Sequence, residues 1–337
     1  MDTNTKRRRA HLITAAVAFI FILTFGASPA AAESPACSVK NMDSGQTYPR
    51  LFQAAKAATS GDHLAVKGTC GYAAVKHDLV IRGVRTGRLG RPVIRQLNVH
   101  LGRTVTVRSL TVRGGFEEHG CGGGIWNSGD LTLRDVIVRG NGASDGGGGI
   151  CNDRRSTLTL NGTTAIRDNS AERYGGGGVY NSGTLIMNDA SSISGNLARG
   201  DWEGGGGVFN VGVFVMNDAS SVSGNSAFAG GGVSNGRRLV MNDASSISGN
   251  SAERGAGVLN WRRLTMTGSA AITGNTATNV GGGVYIVNED STAAYPASRA
   301  GIQPGAEPES ILVGVTCGPQ TDANVYGNSP DDCFYGP

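Results

Sequence analysis

The stretch GGGGVYNSGTLIMNDASSISGN, Gly175 to Asn196, returns as GGGGVFNVGVFVMNDASSVSGN, Gly204 to Asn225, and again as GGGVSNGRRLVMNDASSISGN, Gly230 to Asn250. A phrase repeated on this scale marks a stacked-repeat architecture, in which each unit buries its apolar face only against its neighbours. Working outward, the aliphatic residue that closes each glycine run recurs at Ile125, Ile150, Val179, Val208, Val233, Val258 and Val284. Asn follows two positions later at Asn127, Asn152, Asn181, Asn210, Asn235 and Asn260. A second segment supplies Leu131, Leu158, Leu185, Phe214, Leu239 and Leu264, then Leu133, Leu160, Met187, Met216, Met241 and Met266 two positions on. A third supplies Val138, Ile166, Ile193, Val222, Ile247 and Ile272, with Asn141, Asn169, Asn196, Asn225, Asn250 and Asn275 three positions beyond.

The period is about 25 to 29 residues, holding three runs whose apolar positions alternate as strands do and which are too short for helices. Stacked coil on coil roughly 4.8 Å apart, equivalent positions become aliphatic ladders around one dry interior. The expected fold is therefore all-β, a parallel β-helix of about nine coils. Glycine runs permit tight corners. The Asn rows fit the same geometry, because a buried Asn in a turn bonds its own backbone and the Asn of the next coil.

With these phrases in view, the chain resembles a right-handed parallel β-helix of the pectate-lyase-like superfamily. Its GGG[IV]xN and [IV]xGN phrases are similar to repeats of polymorphic outer-membrane autotransporter passengers, over roughly Val66 to Asn288. That superfamily includes lyases, hydrolases, adhesins and passive scaffolds, so the resemblance bears on fold more than on function.

Before the repeats, a basic start (Lys6, Arg7, Arg8, Arg9) leads into LITAAVAFIFILTFG and ASPAAA, which reads as a signal peptide over 1–32. Removing it takes four of the 30 Lys+Arg and one of the 26 Asp+Glu, leaving 26 against 25. So balanced a mature chain lacks the basic excess of a nucleic-acid binder. Residues 33–62 are expected to form an N-terminal cap, with TYPRLFQAAKAATSGD as an amphipathic helix carrying Leu51, Phe52 and Ala55 on one side. The β-helix is assigned to 63–290 and a loop with a disulfide-closed cap to 291–337. No transmembrane segment is expected in the mature chain, and any attachment to a surface is expected to be non-covalent.

Export makes disulfides the expected state of the six cysteines. Of the 15 pairings that six cysteines allow, nearness in the chain favours Cys37 with Cys70, Cys121 with Cys151, and Cys317 with Cys333. No Cys/His spacing resembles a zinc site.

A residue filled in every coil is explained by stacking, which disposes of Asp189, Asp218 and Asp243 as catalytic candidates. Repetition does not explain the inserts between each Gly-Asn and the next glycine run: FEEHGC, GASD, SAERY, LARGDWE, SAFA, SAER and TATNV. Sharing one corner, they are expected to line one edge, with Glu117, Glu118, His119, Asp145, Glu172, Tyr174, Asp201, Trp202 and Glu203 in its N-terminal half. Beside it runs an outward row of Trp126, Cys151, Tyr180, Phe209, Ser234, Leu259 and Tyr285. Aromatic faces next to carboxylates suit sugar binding, unless the inserts merely cover the row.

Two enzymatic readings compete with a binding surface. A glycosidase would need two carboxylates across the scissile bond, such as Glu118 with Asp145 or Asp145 with Glu203. A lyase of the resembled superfamily would use acidic calcium ligands and a base such as Arg173 or Arg199; only in that reading does calcium enter, and otherwise no cofactor or metal is expected. Arg154-Arg155, Arg237-Arg238 and Arg262-Arg263 mark a basic turn on another corner, suited to acidic polymers or to solvation. The expected function is a secreted or cell-surface β-helix, more often non-enzymatic than not, presenting an elongated surface to a polysaccharide or cell-envelope component. A passive stalk is the third reading, and oligomeric state is left open.

Overall fold

The computed structural model describes residues 36–85, 90–200, 204–287, 312–318, 324–329 and 331–335. The chain divides after Ser34, and the proposed leader lies outside the described residues. The rest is an all-β parallel solenoid of about eight turns with one short helix, close to the nine coils expected.

One face stacks a single strand per coil, His63–Lys67, Leu79–Gly83, Thr104–Arg108, Asp130–Arg134, Thr157–Asn161 and so on to Leu312–Val313. The other face opens with two longer strands, Thr69–Val75 and Val93–Val99. From the next coil onward it is cut in two: Ile94 pairs with Val112, whereas Leu97 pairs with Ile125. Everything between Val112 and Ile125 is therefore an insertion into a formerly continuous strand. These insertions build a ladder of their own from Phe116–Glu117, Gly142–Ala143, Ser170–Ala171 and Leu197–Ala198.

The apolar columns read from the sequence are the observed ones. Ile125 pairs with Ile150, Leu131 with Leu158 and Val138 with Ile166, and the register holds coil after coil. These side chains are fully buried, Phe214 being the largest among them. Each contributes roughly 1.5–3 kcal/mol by leaving water. Both Asn columns read from the sequence are hydrogen-bonded, Asn127 Nδ2 donating to Asn152 Oδ1 at 2.8 Å and Asn141 Nδ2 to Asn169 Oδ1 at 2.9 Å. A third runs through Asn161, Asn188, Asn217 and Asn242, with Asn188 Nδ2 donating to Asn161 Oδ1 at 2.8 Å. Asp189, Asp218 and Asp243 adopt left-handed φ near 56°. The Asp218 carboxylate accepts the Asp189 amide at 2.8 Å, and the Asp243 carboxylate accepts the Asp218 amide at 3.0 Å.

At the start of the solenoid, Ser38–Asn41 runs antiparallel to His63–Lys67, with Thr47–Tyr48 antiparallel outside it, so the sheet edge is covered. The helix Leu51–Ala57 buries Leu51, Ala54 and Ala55. Phe52 is not on that face. One helical step from Leu51 carries it about 100° away, and it lies 44% exposed with its ring 6.4 Å from that of Tyr72. At the far end, Leu312–Val313, Val325–Tyr326 and Cys333–Tyr335 pair in parallel with the preceding coil, and Asn328 prolongs the buried Asn column.

Cys37–Cys70, Cys121–Cys151 and Cys317–Cys333 are disulfide-bonded, the pairing that chain proximity favoured. Three disulfides fit a protein that works outside the cytoplasm. Among the described residues no helix is long and apolar enough to cross a membrane.

Candidate functional site

The inserts do share one edge, and their backbone ladder sets which residues meet. The Ser144 amide bonds the Glu117 carbonyl at 2.9 Å, the Asp145 amide that of Gly120 at 3.1 Å, and the Tyr174 amide that of Asp145 at 2.6 Å. Ala143, Ala171 and Ala198 point inward and are buried, while Glu118, His119, Glu172 and Tyr174 are exposed and Glu117 and Asp145 half-buried. Asp201, Trp202 and Glu203 lie outside the described residues.

The outward row is in register as expected, Trp126 beside Cys151, Tyr180 beside Phe209, and Ser234 beside Leu259. It does not form a continuous aromatic stripe. Phe209 is only 3% exposed, Cys151 and Leu259 are buried, and Tyr180 is half-buried against Phe209 with ring centroids 5.4 Å apart. Burial pushes the Tyr180 hydroxyl above its ordinary pKa, against a smaller opposing effect from a hydrogen bond with Ser182.

The cover comes from the glycine runs. Gly147 takes φ 58°, and a Cβ on Gly146 would stand 3.2 Å from Tyr180 Cδ2 and 2.8 Å from the Gly175 carbonyl oxygen. Only a bare backbone fits so closely over the next coil's ring. Cys121–Cys151 ties the first insert to the row covalently. In later coils Ala229, Leu259 and Val287 form a small buried cluster against which Phe228, Trp261 and Tyr285 pack.

Among the described residues, the exposed aromatic side chains of this edge lie in its N-terminal part. Phe116 is 53% exposed, Trp126 36% and Tyr174 46%. The Trp126 ring is fixed because its Nε1 donates to Asp153 Oδ2 at 2.7 Å, and Ser128 Oγ donates to the same oxygen at 2.6 Å. A Cβ on Gly120 would lie 3.6 Å from Glu117 Cγ and 4.0 Å from Trp126 Cζ3, so carboxylate and indole flank one backbone. Gln96 Nε2 reaches Glu117 Oε2 at 3.5 Å.

The two arginines considered as bases each face a carboxylate of the neighbouring coil. Arg199 Nη1 is 2.8 Å from Glu172 Oε1, and Arg173 Nη1 is 3.9 Å from Asp145 Oδ1. Such exposed pairs contribute at most about 1 kcal/mol and tie adjacent inserts together. Among the described residues no group of three or more His, Cys, Asp or Glu side chains is placed to hold a metal ion.

Sequence reasoning missed the Trp126–Asp153 bond and two columns of stacked arginine, Arg82 with Arg108 and Arg134, and Arg113 with Arg139 and Arg167. The signal was present in the spacing of these arginines from the aliphatic columns, but it stops before the most regular repeats begin. Compared with protein-family models, with curated proteins and with solved structures, the chain matches none.

Proposed function

We propose that this protein is an exported, non-catalytic β-solenoid that holds a glycan or another cell-envelope component on the N-terminal part of its insert edge. The observation that carries this reading is the exposed Trp126 indole, locked by Asp153 beside Glu117, with Phe116 and Tyr174 exposed on the same edge. Rigid ring faces take the C–H side of a pyranose, and nearby carboxylates take its hydroxyls. The repeated Asn and Asp side chains are spent on ladders, so the edge is where side chains are left to meet a ligand. The resemblance to autotransporter passenger repeats and to the pectate-lyase-like superfamily supports the same setting, an adhesive surface at the cell exterior.

Retention of the disulfide-bonded protein on immobilised neutral polysaccharides tests the proposal. Trp126→Ala with Tyr174→Ala is expected to weaken retention about tenfold, as for loss of aromatic anchors at a binding surface, with little change in melting temperature. Unchanged retention would reject the edge as the site.

A further inference from the structure

Outward columns of the solenoid need not repeat, and one of them changes character along the stack. At the end of the third strand it reads Ser194, Ser223, Ser248 and Thr273 in the later coils. In the earlier coils the same column reads Arg113, Arg139 and Arg167. Arg167 pairs with Ser194 in unbroken register, so the fold itself does not require arginine there. Stacking like charges about one strand spacing apart costs on the order of 1 kcal/mol per neighbouring pair even in water. Only Arg167 is offset, by Asp168 at 2.5 Å; among the described residues Arg113 and Arg139 take part in no ion pair.

Arg95 completes the group, its Nε donating to the Gly114 carbonyl at 2.9 Å. Together Arg95, Arg113 and Arg139 rim an open groove of about 410 Å3 floored by Thr69, Cys70 and Val93 and by the backbone of Gly114 and Gly140. Across the corner the column Arg82, Arg108 and Arg134 adds to the positive field, and it too gives way to a polar ladder at Asn161. The carboxylate on this corner, Asp135, is taken up by the Thr163 amide at 2.9 Å and hydroxyl at 3.0 Å.

We propose that the Arg95–Arg113–Arg139 groove binds a linear acidic glycan, with carboxylate or sulfate groups on successive guanidinium forks. Arginine forks match both oxyanions bidentately. Cations repeated at a fixed rise suit a polymer whose anions also repeat, and the glycine backbone leaves room for sugar rings. No aromatic side chain lines the groove to stack a base, which sets it apart from single-stranded nucleic-acid sites. The groove lies at the base of the inserts but shares no lining residue with the Trp126 surface, and loss of neutral-glycan binding in the Trp126 variant would not bear on it.

The test is low-salt binding of the disulfide-bonded protein to immobilised heparin (sulfate) and polygalacturonate (carboxylate), with double-stranded DNA as comparison. Arg113→Ser with Arg139→Ser installs the residue that later coils carry and is expected to weaken binding roughly tenfold or more. Arg238→Thr with Arg263→Thr, which removes the same charge elsewhere, is expected to stay within about twofold. Loss on heparin, on polygalacturonate or on both supports the proposal and names the acidic group. Binding unchanged by Arg113→Ser with Arg139→Ser, no binding of the parent to either glycan, or equally tight DNA binding at the same salt would overturn it.

Discussion

Asn196 is held by both neighbouring coils. Its Oδ1 accepts from Asn169 Nδ2 and from the Asn169 amide, each at 3.0 Å, while its Nδ2 donates to Asn225 Oδ1 at 2.9 Å and to the Ile166 carbonyl at 3.0 Å. Removing it strands buried partners on two coils, so Asn196→Ala is expected to cost about 2–3 kcal/mol in urea unfolding. Ser220 makes the opposite case: its hydroxyl is buried without a hydrogen-bond partner, and Ala270 fills the equivalent place two coils later. Ser220→Ala should be neutral or stabilising, and a loss as large as that of Asn196→Ala would contradict the ladder account. Asp135 gives a pH signature. Hydrogen bonding from the Thr163 amide, then from its hydroxyl, and nearby Arg134 and Arg91 hold its carboxyl below the ordinary range. A lowered folded pKa stabilises above the unfolded value of about 3.9 and is lost as pH falls through the folded value. The difference in urea midpoint between the parent and Asp135→Asn should be present near neutrality and close in strong acid; a constant gap would count against it.

At the scale of elements, the four apolar columns were legible because inward positions must repeat to stack, and any coil that broke the pattern would leave a hole. Phe52 was misplaced because an aromatic beside Leu51 looks like core until the helical angle is drawn. The burial of the outward row was not legible, since what packs over Cys151, Tyr180 and Tyr285 is glycine backbone, which carries no side-chain pattern of its own. The arginine columns escaped for the converse reason, because nothing in the stacking demands them. The insert is a separable element, held at its first coil by Cys121–Cys151. Cys121→Ser with Cys151→Ser is expected to lower stability by about 2–4 kcal/mol and to raise hydrogen exchange chiefly across 116–124. Exchange rising equally along the aliphatic columns would show instead that this bond holds the core.

The solenoid as a whole carries a regular interior and an irregular exterior whose departures from repetition gather in its earlier coils. Phe116, Trp126 and Tyr174 stand on one edge there, and Arg95, Arg113 and Arg139 rim the groove. In later coils Phe228 packs against the buried cluster of Ala229, Leu259 and Val287, and Ser or Thr replaces arginine. A scaffold stabilised by its repeated interior tolerates such departures on its outside. On the function proposed above, the protein holds a glycan without cleaving it. The most direct measurement incubates the disulfide-bonded protein, with calcium present, against neutral and acidic polysaccharides, following bound protein and released oligosaccharides by mass spectrometry. Retention with no new oligosaccharides is the expected result. Products with an unsaturated end would establish a lyase, and saturated products a hydrolase, and either would contradict the account.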